Sequence, residues 1–130
     1  MSEATPSGRE LEILKVLWDI GPASVREVHE RMCPGGELAY NTVQTLLRIM
    51  DEKGLVAHRT RGRTFVYAAR RSRDDEASRL LRRLFDGAVE QCVVSLLNAA
   101  DSSAEELKRL EKLIADARRR KQAGQKGAQP

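Results

Sequence analysis

A mainly α-helical fold follows from three observations on the 130-residue sequence. Ser-x-x-Glu sequences recur just ahead of apolar residues at helical spacing, a strong local mark of a helix start. Only one stretch, LVAHRT followed by TFVYA, carries the Val, Phe and Tyr enrichment of strands. The second half of the chain repeats apolar residues at i, i+3, i+4 and i+7, making a face too wide to remain uncovered.

The elements follow in order. Ser7-x-x-Glu10 opens a first helix on which Leu11, Leu14, Leu17 and Trp18 recur, and Gly21-Pro22 ends it. Ser24-x-x-Glu27 opens a second, with Val25, Val28 and Met32 on one face and a break at Pro34-Gly35-Gly36. YNTVQTLLRIMDEK is the third; Gly54 suits the position after its end, and Leu55 the accompanying apolar contact. The two strand-like runs flank Arg61-Gly62-Arg63 and read as a β-hairpin with a basic turn. A lone hairpin is marginal in water, so it must lie against the third helix. Helix, helix, helix, hairpin is the order of a winged helix-turn-helix DNA-binding domain, spanning residues 1–71.

Beyond it, residues 72–117 read as a C-terminal helical dimerisation region, after a weaker cap at Ser72-x-x-Asp75. From Ala77 one long helical face carries Leu80, Leu81, Leu84, Phe85, Ala88, Val89, Cys92, Val93, Leu96 and Leu97. Ser103-x-x-Glu106 starts a final helix whose Leu107, Leu110, Leu113, Ile114 and Ala117 cover only part of that face. A helical hairpin within one chain would bury some of it; an intertwined homodimer buries more, and is the favoured arrangement. Residues 118–130, RRRKQAGQKGAQP, read as a basic disordered tail able to touch DNA nonspecifically.

Charge is distributed unevenly. Residues 1–37 hold four Arg/Lys against seven Asp/Glu, residues 38–71 seven against two, and residues 72–130 twelve against ten. A basic middle suits a polyanion partner, although a basic surface without one would show the same balance. No apolar leader opens the chain and no run reaches membrane-spanning length, so a cytoplasmic protein without membrane insertion is expected. Cys33 and Cys92 are far apart and read as reduced thiols. No cofactor or metal is expected, a Cys with His29 or His58 being the one combination to weigh. The two histidines join no triad, HExxH or phosphate loop, so the chain does not read as an enzyme.

On a helical wheel, Val43, Leu46, Leu47 and Met50 fall within about 100° of arc. Opposite lie Asn41, Gln44, Thr45 and Arg48, with Thr42 at the margin. Asn and Gln pair bidentately with adenine, Arg with guanine, and a Thr methyl meets thymine. An ordinary exposed helix face is the competing explanation. Arg59, Arg61 and Arg63, in and beside the hairpin tip, are placed for phosphate or minor-groove contact; they would equally keep an edge strand soluble. Ser24 and the amides opening the second helix are placed for a further phosphate.

ELEILKVLWDIGPASVREVHERM and LAYNTVQTLLRIMDEKGLVAHRTRGRTFVYAA, with the helical remainder, resemble the penicillinase-repressor family of bacterial transcriptional regulators (BlaI, MecI and CopY) over about residues 7–117. The resemblance implies a homodimeric repressor on a palindromic operator with TACA and TGTA half-sites. It assigns Asn41, Thr42, Gln44, Thr45 and Arg48 to reading double-stranded DNA, and Arg61 and Arg63 to the wing. It also implies relief of repression in β-lactam-responsive members through a membrane sensor protease system, with cleavage after an Asn that precedes a bulky apolar residue. Asn98-Ala99 is the matching bond; Ala99 departs from the bulky pattern, and Asn98 reads equally as a helix end before a Ser/Asp loop. Copper sensing through CxC pairs does not fit a tail without cysteine. Outside the family, a protein-interaction adaptor using the long apolar helix is the alternative, and the wing arginines argue against it.

Overall fold

In the computed structural model residues 4–128 are described, with side chains through residue 124. The chain divides after Leu80 into two compact units. The first holds α1 (Gly8–Ile20), β1 (Ala23–Ser24), α2 (Val25–Met32), α3 (Tyr40–Lys53), β2 (Val56–Arg61) and β3 (Thr64–Ala69). It is a winged helix, with a three-stranded sheet in the order β1-β3-β2.

The helices start where their caps dictate. Ser7 and Ser24 each accept from the amide three residues on, at 3.3 and 3.2 Å, while Glu10 and Glu27 reach back to the serine amides. Each box satisfies two of the donors a helix start leaves without partners. α3 ends as anticipated: Gly54 adopts φ 82°, a left-handed position that costs glycine nothing. The Leu55 amide then bonds Met50 O at 2.9 Å, and the Leu55 side chain is fully buried.

Ile13, Leu14 and Leu17 of α1, Val28 of α2, and Val43, Leu47 and Met50 of α3 meet Val56 and Tyr67 of the sheet in one core. Fixing α3 to this core presents its opposite face outward. The hairpin pairs Val56 with Ala69 through Arg61 with Thr64, leaving Gly62 and Arg63 as the turn. Gly62 has φ 65° and Arg63 does not share the positive sign, the pattern of a type II′ turn. One strand was not anticipated: Ala23 and Ser24 pair with Tyr67 and Val66, giving the hairpin a third strand in addition to its packing on α3.

A second tie joins α1 to α3. The buried Glu10 carboxylate accepts from Lys53 Nζ at 2.8 and 3.0 Å. Burial alone would raise its pKa, but the Lys53 ammonium and the Ser7 amide outweigh burial and hold it below the ordinary glutamate value.

α4 (Arg73–Phe85) begins in the first unit; α5 (Val89–Ala99) and α6 (Ala104–Ala128) belong to the second. Three expectations change here. The boundary expected at residue 71/72 falls inside α4, after Leu80, because the start of α4 is bonded to the winged helix. The continuous helix expected from Ala77 to Leu97 is broken at Asp86 and Gly87, with φ 49° and 82°. Glycine takes that conformation freely, and a short polar side chain such as Asp tolerates it. The tail expected to be disordered is helical as far as Ala128. Arg, Lys, Gln and Ala are good helix formers, Asp116 pairs with Arg119 one turn on, and no proline interrupts before Pro130.

Among the described residues, none of α4 or α5 is fully buried, although Glu76, Arg79 and Phe85 of α4 and Cys92 of α5 are partly covered. Leu84, Leu96, Leu113 and Ile114 are 58–64% exposed. No helix among the described residues is long and apolar enough to cross a membrane.

Candidate nucleic-acid interface

α3 puts Asn41, Thr42, Gln44, Thr45 and Arg48 in solvent while Val43, Leu47 and Met50 seal the inner face. Its preceding residue is Ala39, which supplies no side-chain cap, so the opening amides of α3 are left without that partner. Arg59 and Arg61 lie on β2 and Arg63 in the turn, all exposed. None of Arg48, Arg59, Arg61 and Arg63 enters an ion pair among the described residues. Each guanidinium keeps its donors for an external acceptor.

The helix face and the wing come together. Gln44 and Tyr40 of α3 line one open groove of about 300 Å³ with Val25, Arg63, Thr64, Phe65 and Tyr67. The groove therefore has an amide on one wall and a guanidinium on the other. Arg61 stands near the start of α2: Glu27, held below the ordinary glutamate value chiefly by the Ser24 amide and hydroxyl, is lowered further by the Arg61 charge. The Ser24 hydroxyl at this helix start already accepts from the Glu27 amide. A phosphate at this end would meet its hydroxyl proton or the neighbouring amides.

Asp51 and the exposed Glu52, in the last turn of α3, are the acids on this helix that could repel a phosphate. Asp51 bonds His58 Nδ1 on β2, and the imidazole stacks on Phe65 with ring centroids 4.4 Å apart. Tyr67 registers both charges of this corner: burial raises its pKa, Asp51 raises it further, and Arg48 lowers it. The carboxylate is thus occupied beside an arginine that is not.

Two groove residues escaped the reading of the sequence. Tyr40 and Phe65 expose rings, at 43% and 46%, in the same groove as Gln44. Exposed aromatics at a basic surface can stack on sugars and bases. Strand alternation gave no signal for Phe65, because it groups Phe65 with Tyr67, which the fold buries together with Val66.

The expected dimerisation residues divide over three helices: Leu80, Leu81, Leu84 and Phe85 on α4, Val89, Val93, Leu96 and Leu97 on α5, and Leu107, Leu110, Leu113 and Ile114 on α6. All but the half-buried Phe85 are exposed. Asn98 and Ala99 close α5, also exposed. Cys33 is buried and Cys92 partly so, both free. Among the described residues no group of three or more His, Cys, Asp or Glu could hold a metal ion.

Comparison with known proteins places this architecture. The family model for the penicillinase repressor matches residues 6–116. The chain belongs to the penicillinase repressor family. The penicillinase repressor of Bacillus licheniformis is 28% identical over 119 residues, 88% of this chain and 93% of that protein. The solution structure of the DNA-binding domain of the repressor BlaI superposes with a TM-score of 0.50 at 30% identity, covering 57% of this chain and 93% of that one. As a penicillinase repressor family member the chain is a transcriptional repressor, and its family is one of regulators rather than enzymes. That membership removes the ground for a general protein adaptor.

Proposed function

We propose that this repressor binds a palindromic operator as a homodimer, with α3 in the major groove and the β2–β3 wing on the adjoining backbone. The supporting observation is the groove in which Gln44 of α3 and Arg63 of the wing face the same space. Side chains that read bases and side chains that neutralise phosphate thereby act on one stretch of duplex. Asn41, Gln44, Thr45 and Arg48 read base edges, and Thr42 adjoins them. Arg59, Arg61 and Arg63, with the start of α2 at Ser24, fix the register on the backbone.

The exposed apolar faces of α4, α5 and α6 are the surface through which two copies join. Exposed leucines in this number are costly in water, and self-association removes them from it. Two copies then place their α3 helices about 34 Å apart, one turn of DNA. The resemblance to the family makes TACA and TGTA half-sites the expected operator elements, and the cytoplasm the place of action. Release by a membrane sensor protease at Asn98-Ala99 rests on the resemblance alone. That bond lies in the last turn of α5, where the Ala100 amide bonds Leu96 O at 3.0 Å, so this turn would have to open first.

Selection of binding sites from random duplex DNA, with molar mass measured in parallel, tests the reading. A palindromic consensus bound by two copies is expected. Binding without preference for any sequence overturns it.

A further inference from the structure

The groove that Gln44 and Arg63 share is also apolar: Tyr40, Phe65, Val25 and Tyr67 line it with them. Val25 and Tyr67 belong to the core. Tyr40 and Phe65 do not, and both leave much of their rings in water. Folding gains nothing from the part of a ring that stays exposed.

Neither exposed ring is loose, because an imidazole holds each. His29 of α2 donates Nε2–H to Leu38 O at 2.8 Å, two residues before α3 begins. Its ring meets Tyr40 edge-on, with centroids 5.9 Å apart. Phe65 stacks on His58 at 4.4 Å and meets Tyr67 edge-on at 6.4 Å. His58 is itself bonded to Asp51 of α3. Rings fixed in advance lose little freedom when a ligand group arrives beside them.

The major groove of DNA narrows what such rings can meet. Thymine alone presents an apolar group there, its 5-methyl. A reading helix meets base edges with its N-terminal residues, and Tyr40 is the first residue of α3. Gln44, one turn on, has the amide that pairs with adenine, and Arg63 supplies charge for phosphate on the same stretch.

We propose that Tyr40 and Phe65 are specificity-determining residues that receive the 5-methyl group of an operator thymine in this groove, beside the base that Gln44 reads. The inference rests on the reading above, in which α3 occupies the major groove. Cytosine at that place would offer the two rings no methyl group, and they would stay in water.

The test uses the full chain and the duplex it selects from random DNA, with each thymine replaced in turn by deoxyuridine. Deoxyuridine pairs as thymidine does and lacks only the methyl group. At the thymine beside the Gln44 contact, replacement should weaken wild-type binding about fourfold, the effect of one buried methyl group. Tyr40→Ala and Phe65→Ala should each reduce that penalty below about twofold. Tyr40→Phe should keep it, since the methyl meets the ring and not the hydroxyl. Should Phe65→Ala fail to fold, Tyr40→Ala decides. Folded Tyr40→Ala with the wild-type penalty at every thymine overturns the proposal. Equal weakening of Tyr40→Ala on thymine and uracil duplexes, with the penalty unchanged, places the ring on the sugar instead and overturns it too. A wild type that selects a sequence yet ignores every replacement overturns the proposal and leaves the operator reading standing. A wild type that selects no sequence overturns the operator reading itself.

Discussion

Arg61→Ala is the substitution whose effect follows most directly from the structure. Arg61 ends β2 beside the turn, is exposed, and makes no ion pair among the described residues. Truncating it should leave folding stability within about 0.5 kcal/mol, so any change in binding belongs to the interface. Each phosphate neutralised on B-DNA contributes about −0.9 to the slope of log K against log salt. Between 50 and 200 mM salt, one such contact accounts for about a 3.5-fold loss of affinity. On a half-site the variant should lower the slope by about 0.9. On the full palindrome, where two copies of Arg61 are lost, it should fall by about 1.8, and the loss across the same salt window should shrink about 12-fold. Fluorescence anisotropy titrations at four or five salt concentrations, on operator and scrambled duplexes, measure this. The decrease should be equal on both DNAs, because a phosphate contact carries no sequence information. A slope that does not move removes the wing from the interface.

Arg48→Ala should behave in the opposite way: a cost of about 1–3 kcal/mol on the selected operator, with relaxed base preference, and equal loss on scrambled DNA would reduce Arg48 to a phosphate contact. Leu84→Asp with Leu96→Asp, at sites 64% and 58% exposed, should give monomers by light scattering and abolish palindrome binding; an intact dimer refutes the apolar face as its interface. Glu10→Gln tests the α1–α3 tie. The Glu10 pKa is lowered in the fold, so its stabilisation is full above the ordinary glutamate value and is lost as pH falls through the lowered one. The variant should be less stable near neutral pH by about 1–2 kcal/mol, a figure discounted because Lys53 is 38% exposed, and its urea midpoints should converge with wild type in acid. Midpoints that coincide with wild type at every pH would show that the pair contributes nothing.

What could be read from the sequence was decided by local chemistry. Each capping serine is satisfied within three residues, and Gly54 closes α3 through amides adjacent in the chain, so the helices of the winged unit are visible in the letters themselves. The outward face of α3 was legible for the same reason: Val43, Leu47 and Met50 fix one side inward and leave Gln44 and Arg48 no other place. Legibility failed where a partner is distant. β1 is two residues long and exists because the edge of β3 accepts it. Lys53 finds Glu10 from 43 residues away. The break at Asp86-Gly87 was obscured by apolar residues that stay in helical register on both sides of it, and periodicity does not register a single left-handed pair. The helical tail was misread because composition that favours disorder also contains strong helix formers.

Charge at the interface depends on which ions are already engaged rather than on how many there are. A basic stretch that includes Asp51 and Glu52, with Glu27 close by, would present a more mixed potential if every acid were free. Instead Glu27 is drawn into the Ser24 capping box and Asp51 is tied to His58. Both carboxylates lose part of their reach toward solvent, while Arg48, Arg59, Arg61 and Arg63 stay uncommitted. Pairing these two acids also costs no arginine, since one partner is a backbone amide and the other an imidazole. Had Asp51 paired instead with Arg48, one turn away on the same helix, α3 would have kept its stability and lost a base-reading donor. The Asp51–His58 bond thus links the edge of the hairpin to the reading capacity of the helix, and makes the wing and α3 a single electrostatic surface.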